Sequence, residues 1–230
     1  MKKGNICIIP ARGGSKRLPG KNIKQFFGKP VISYAIQTAL ASELFDEVFV
    51  STDCEEIAEV ATQCGANASY LRSSENSNDF ATTNDVILEV LRTFMDNGYE
   101  FERVCCLYPV APLVTANQLS SGLKNLLCSP DAMVFPVLEY SHPIWRAIGI
   151  EDGVGKRIWK ENTNERTQDL RTTYHDAGQW YWMKTEGTLT GKELQLLPVV
   201  IREEDAQDVD DLRDWRMLEL KYQLKNDSTN

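Results

Sequence analysis

From its start to about residue 138 the chain alternates short apolar runs with amphipathic stretches of ten to fifteen residues, and no other feature restricts the fold as much. The runs Asn5–Pro10, Glu47–Ser51, Arg103–Leu107 and Ala132–Leu138 predict buried strands. Between them, Val31–Ser42 sets Ile32, Ala35, Ile36, Ala39 and Leu40 on one helical face, and Cys54–Cys64 does the same with Ile57, Ala58 and Ala61. Thr83–Asn97 and Thr115–Leu127 read as two further helices. Strands that alternate with helices of this length form βαβ units, so the expectation is an α/β fold with a mostly parallel sheet and helices on both faces.

The rhythm stops after Leu138. Residues 139–176 are polar, carry Arg and Trp, and show no long period, which suits a functional insert or an interaction arm. Order is expected again at Gly178–Lys184, at a strand over Leu196–Val200, and in a last helix from Asp211 to about Leu224. There Leu212, Trp215, Leu218 and Tyr222 form the inward stripe, and residues 225–230 are expected to fray. Residues 1–230 thus read as one domain with an insert at 139–176.

Charge narrows the partners. With 33 acidic and 25 basic side chains the net charge is -8, the wrong sign for a general nucleic-acid binder. The apolar stretch Ile6–Ile9 ends at Pro10 and Arg12, too short for a signal peptide, and Pro109 and Pro112 interrupt the longest later run. No membrane contact is expected, and the location is expected to be cytoplasmic. The six cysteines form no C-x-x-C pair and read as free thiols, and two histidines without H-E-x-x-H give no zinc site.

Against this acidic background the segment ARGGSKRLPGKN, Ala11 to Asn22, gathers Arg12, Lys16, Arg17 and Lys21 just after the first strand. Ligands of α/β sheets sit at the carboxyl ends of strands, where glycines let backbone N–H groups approach phosphate and Lys and Arg supply charge-assisted bonds. A Walker A loop is excluded, because it would need Gly at position 15 and Ser or Thr at 22, which are Ser15 and Asn22. A G-x-G-x-x-G fingerprint is excluded too, since Gly13 and Gly14 are adjacent. Near the other end, Asp208-Val-Asp210 spaces two carboxylates so that an extended segment points both one way. They can share one cation such as Mg²⁺, or the acidic run can cap the last helix.

IIPARGGSKRLPGKNI resembles the amino-terminal signature of the cytidylyltransferases that activate nonulosonic acids, the CMP-sialic acid synthetase family. FFGKPVISYAI, VFVSTDCEEIAEVATQCGA, RSSENSNDFAT, LYPVAPL and QDVDDLRDW follow in the family's order, so the resemblance covers nearly the whole chain. It implies a Rossmann-like nucleotidyltransferase fold and transfer of CMP from CTP to the anomeric hydroxyl of a nine-carbon 2-keto acid sugar, with pyrophosphate released. It implies that Arg12 and Lys21 hold the triphosphate, helped by Ser15 and Asn22 and by the backbone at Ala11 and Gly13. Arg72 would add a nucleotide contact, and Leu107–Leu113, including Tyr108 and Pro109, would line the cytosine. Sialate enzymes often carry Gln at the place of Tyr108. The D-x-D pair is the family's metal motif, which makes Asp208 and Asp210 the expected Mg²⁺ ligands.

RTQDLRTTYHDAGQWYW, Arg166 to Trp182, resembles the pseudaminic acid branch of that family through Tyr174-His-Asp-Ala-Gly-Gln179. By this resemblance Arg166 would fork the sugar carboxylate, with Gln168, His175, Asp176 and Gln179 reading hydroxyl and amide groups, Arg146 nearby, and Ala177 and Trp180 supplying apolar surface. Core packing suits Tyr181 and Trp182 better, and His175 is as consistent with a structural strand-end histidine. The resemblance further implies a homodimer in which the insert reaches the neighbouring site, with Trp145 and Trp159 at the interface. Sialic, legionaminic or 3-deoxy-octulosonic acid as the sugar, and a nucleotide-binding regulator without activity, are the rival readings.

Overall fold

The structure is a computed structural model and describes residues 1–227. Its elements run β1 (Lys2–Pro10), β2 (Gln25–Phe26), β3 (Lys29–Pro30), α1 (Ile32–Ala41), β4 (Glu47–Ser51), α2 (Glu55–Gln63), α3 (Thr83–Asp96), β5 (Glu100–Leu107) and α4 (Ala116–Cys128). They continue as β6 (Ala132–Glu139), β7 (Ile148–Glu151), β8 (Val154–Arg157), β9 (Tyr174–Asp176), β10 (Trp180–Lys184), α5 (Thr185–Thr190), β11 (Gln195–Val200) and α6 (Leu212–Asp227). The central sheet has the order β11-β6-β10-β5-β1-β4, with β9 paired to β6. β1 is parallel to β4 and β5, and β6 to β11, while β10 lies antiparallel between β5 and β6.

Period-two alternation divides the core between the two faces of this sheet. Cys7, Ile9, Val48, Val50, Cys105 and Leu107 face α1, α2 and α4, whereas Ile6, Ile8, Phe49, Val104 and Cys106 face α3 and α5. Strands covered on both sides need apolar residues at every position, which is why the first strand is an unbroken Ile-Cys-Ile-Ile run. Trp180 and Trp182 are fully buried on the α4 side. Gly122 makes room for them: a Cβ there would stand 2.5 Å from the Trp180 ring. Ala177 is also buried, so it and Trp180 are core residues and form no sugar-facing surface.

Three sequence expectations are corrected. The 139–176 insert is not structureless: it holds the β7–β8 hairpin, turned at Asp152-Gly153, and its end joins the main sheet as β9. Such short strands carry too few residues to show a period. Leu212 is 56% exposed: it is the first residue of α6 and lies outside the cluster that buries Trp215 and Leu218. Lys225 does not fray: it is helical and donates to the Leu113 carbonyl at 3.0 Å and to Asp205 at 2.7 Å. Of the expected frayed end, residues 228–230 lie outside the described residues.

Candidate active site

β1, β4 and β5 are parallel, so the chain leaves all three at one edge of the sheet. Loop 11–22 and loop 108–113 therefore meet there, joined by residues 72–83, with Asp53 holding loop 11–22 from behind. Because β10 runs the other way, its start brings Gly178 to the same edge. These segments line a cavity of about 330 Å³. Of the residues expected from the sequence, Arg12, Ser15, Lys21, Asn22, Arg72, Tyr108, Pro109, Asp208 and Asp210 all line it.

Each has a local reason for its place. Asn22 is buried and donates to the Arg12 carbonyl at 2.9 Å, folding the basic loop back on itself. The Gly13 N–H donates to Asp53 at 2.8 Å and the Ala11 N–H to Ser51 at 2.9 Å, so these two backbone donors anchor the loop instead of facing the cavity. Arg72 is 7% exposed; its Nε donates to Ser51 Oγ at 3.0 Å and its Nη2 to the Ser51 carbonyl. No carboxylate lies within ion-pair distance of it among the described residues, and burial lowers its pKa. Its hydrogen bonds go only to neutral oxygens, and Asp53 and Glu89 offset its charge only through space, so positive charge remains beside the cavity, which favours an anion there.

The acidic end follows from alternation. Val209 is buried with Leu18, Phe26, Trp215 and Leu218, so Asp208 and Asp210 point away from that cluster and into the cavity. Helix capping does not consume Asp210: Asp211 Oδ1 accepts from the Arg213 and Asp214 N–H groups at 2.6 and 3.1 Å. Asp214 returns the bond by accepting from the Asp210 and Asp211 N–H groups at 2.9 and 3.0 Å. Asp210 pairs with Arg17 at 2.9 Å, and Lys21 Nζ donates to the Val209 carbonyl at 2.6 Å. Two bonds thus tie the basic loop to the carboxylate segment.

The sugar-side expectations fare differently. Arg146, Arg166, Gln168, His175, Asp176 and Gln179 do not line the cavity among the described residues. Gln179 is 2% exposed and donates to the Asp205 carbonyl at 2.9 Å, so it braces the acidic segment from below. The Asp176 carboxylate accepts from Tyr181 OH at 2.9 Å and from the Gly178 N–H at 2.8 Å, which sets the turn beside Asp208. Gly178 has φ +63 and lies against Asp208, a place where a side chain would be strained. His175 is a strand residue whose ring packs on Tyr140 at 4.9 Å. Arg146 donates to Thr167 Oγ1 at 3.3 Å within the insert, and Arg166 and Gln168 are exposed there.

Sequence reasoning missed Asp79, whose carboxylate accepts from Arg12 at 3.0 Å and also from Lys16. The Lys16 and Arg12 bonds lower its pKa. It also missed Thr83, whose hydroxyl lies 3.3 Å from Tyr108 OH. Both sit in or just beyond the segment Arg72–Thr82, where the pattern of apolar residues gives no signal.

An edge of parallel strand ends that gathers cations and the carboxylates of Asp79, Asp208 and Asp210 around one cavity suits the binding of a nucleotide's phosphates. The fold matches a CMP:2-keto-3-deoxy-manno-octonic acid synthetase complexed with CTP at a TM-score of 0.72 and 16% identity, over 97% of this chain and all of that one. Residues 6–208 match the family model described as cytidylyltransferase, and the chain belongs to that family. It is 35% identical to the pseudaminic acid cytidylyltransferase of Campylobacter jejuni serotype O:2, over 97% of this chain and 98% of that protein. It is 41% identical to the CMP-N,N'-diacetyllegionaminic acid synthase of Legionella pneumophila, but over 46% of each.

Proposed function

We propose that this chain transfers CMP from CTP to the anomeric hydroxyl of pseudaminic acid, releasing pyrophosphate. The observation that carries the reading is a cavity joining the basic loop to two carboxylates, in a chain alike over its full length to the Campylobacter enzyme. Arg12, Lys16 and Lys21 would bind the triphosphate, with Arg72 adding fixed charge nearby. The sugar oxygen attacks the α-phosphorus, the α–β phosphoanhydride bond breaks, and the pyrophosphate carries the electron pair away against these cations. Among the described residues the cavity lining holds no histidine and no glutamate, so the hydroxyl proton would leave to solvent or to an aspartate of the lining.

Asp208 and Asp210 suit Mg²⁺, because both face the cavity and neither is needed as the helix N-cap. The described residues form no group of three or more metal-ligating side chains, which fits an ion that takes its remaining oxygens from phosphate and water. Such an ion would withdraw charge from the phosphates and lower the pKa of the attacking hydroxyl.

The insert would form a homodimer. Ile148, Ile150, Val154 and Ile158 are all more than half exposed on or beside one hairpin, and Trp145 packs edge-on against Trp159 at 5.5 Å. Arg166 and Gln168 would then reach a sugar bound to the partner. No described helix is long and apolar enough to cross a membrane, and the six free thiols suit a reducing cytoplasm.

The test is CTP-dependent pyrophosphate release with pseudaminic, N-acetylneuraminic, legionaminic and 3-deoxy-octulosonic acids. Pseudaminic acid should have the highest kcat/KM, by at least about 10²-fold over N-acetylneuraminic acid. Equal values would reject the sugar assignment, and no release with any sugar would reject the transferase reading.

A further inference from the structure

Three of the cations facing the cavity, Arg12, Lys16 and Arg17, are already ion-paired within the protein, and one partner stands out. Asp79 accepts from Arg12 through Oδ1 and from Lys16 through Oδ2, so one carboxylate engages two cations of the basic loop. Asp79 lines the cavity with them. Its place is built from both sides. Upstream, Glu89 of α3 accepts from the Ser73 N–H at 2.9 Å, from Ser73 Oγ at 2.6 Å and from Asn76. Downstream, Asn78 Oδ1 accepts from the Phe80 and Ala81 N–H groups at 2.7 and 3.1 Å, and the Thr82–Asp85 capping box starts α3 directly after. The chain on both sides of Asp79 is thus held by hydrogen bonds, while its carboxylate is about half exposed beside the two cations.

A carboxylate bridging two cations presents to them much what a phosphate does. Any phosphate chain that uses Arg12 and Lys16 must therefore displace Asp79 or share the cations with it. We propose that Asp79 is an internal competitor at the phosphate site, weakening the hold on CTP and pyrophosphate and so speeding pyrophosphate departure after transfer. This rests on the reading of loop 11–22 as the triphosphate site. It assigns to one acidic residue an effect opposite in sign to that of the lysines and arginines it faces: its removal should tighten binding.

Calorimetric titration with inorganic pyrophosphate and with CTP tests this on the intact chain. Asp79→Asn and Asp79→Ala should each tighten pyrophosphate binding by about three- to tenfold, the size expected for losing two exposed ion pairs. CTP should follow in the same direction. Glu75→Gln lies on the same loop and removes the same charge, but makes no ion pair among the described residues; it should change neither affinity appreciably. Lys21→Ala should weaken both ligands. If the wild-type chain binds pyrophosphate and Lys21→Ala weakens it, yet both Asp79 variants bind no more tightly, Asp79 is a positioning group and the proposal is overturned alone. Equal tightening in Glu75→Gln would reduce the effect to net charge and overturn it as well. Failure of the wild-type chain to bind either ligand would remove the triphosphate reading and the proposal with it.

Discussion

The nucleotide side of the cavity and the segment 139–179 were both read from sequence, and they came out differently. On the nucleotide side Arg12, Ser15, Lys21, Asn22, Arg72, Tyr108, Asp208 and Asp210 converge on one cavity. From 139–179 only Gly178 reaches it; Asp176 spends its carboxylate on Tyr181 and the Gly178 turn, and Gln179 gives its amide nitrogen to Asp205 while its Oε1 is buried without a partner. The first set sits on loops leaving neighbouring parallel strands or on a segment bonded to them, so topology alone brings it together. Residues of the insert have no such guarantee. Their position depends on a hairpin that projects from the sheet, and on whatever covers its apolar residues.

The sharpest way to break this contrast is at the carboxylates. Asp208→Asn and Asp210→Asn should each lower kcat by about 10³-fold, and the double variant should lose little more, since both would serve one ion. Melting temperatures should stay near wild type, because Asp211 and Asp214 do the capping. An active Asp210→Asn would move that residue out of the reaction. Next in size, Lys21→Ala should cost about 10²-fold in kcat/KM with the fold intact, whereas Lys24→Ala, whose ammonium sits over Trp215 5.4 Å from its centroid, should leave rate unchanged. Equal losses from the two lysines would mean that only a diffuse basic patch matters.

On the insert side the predicted losses are smaller and of another kind. Arg166→Ala should raise KM for the sugar by about tenfold without altering KM for CTP, consistent with loss of uniform binding. Ile150→Asp should shift the sedimentation coefficient toward monomer and produce the same sugar defect; a monomer that keeps wild-type sugar kinetics would separate the insert from the site. The smallest effect concerns acid stability. Burial pushes the Asp205 carboxyl up, but its bonds to Arg202 and Lys225 outweigh this and hold it below the usual carboxylate range. That contribution is present above the unfolded pKa and is lost as pH falls through the depressed folded value. Asp205→Asn should therefore lower the melting temperature by a few degrees at neutral pH and by less near pH 3.

Most of the parallel sheet was legible because double burial writes itself as unbroken apolar runs such as Ile6–Ile9 and Val104–Leu107. The basic loop was legible because its charge contradicts an acidic chain. β7, β8 and β9 were not, since three or four half-exposed residues carry no period. Gln179 was misplaced for a related reason: a polar residue before a Trp-Tyr-Trp strand looks like a ligand contact, yet Asp205 offers a buried carbonyl that takes its amide. Asp79 left no trace because an acidic residue in a Ser- and Asn-rich loop looks like solvent-facing polarity.

β10 fills the gap between β5 and β6 with its chain direction reversed, and it is synthesised about seventy residues after the strand edge it joins on β5. During synthesis, β5 and β6 must therefore wait with unpaired N–H and C=O groups, and α4 without the two tryptophans it packs on. Closure of the sheet then depends on pairing across a large sequence separation, the slow and aggregation-exposed kind of folding step. The insert 139–176 makes up most of the chain between β6 and β10, so its length adds directly to the time the β6 edge stays open on the ribosome.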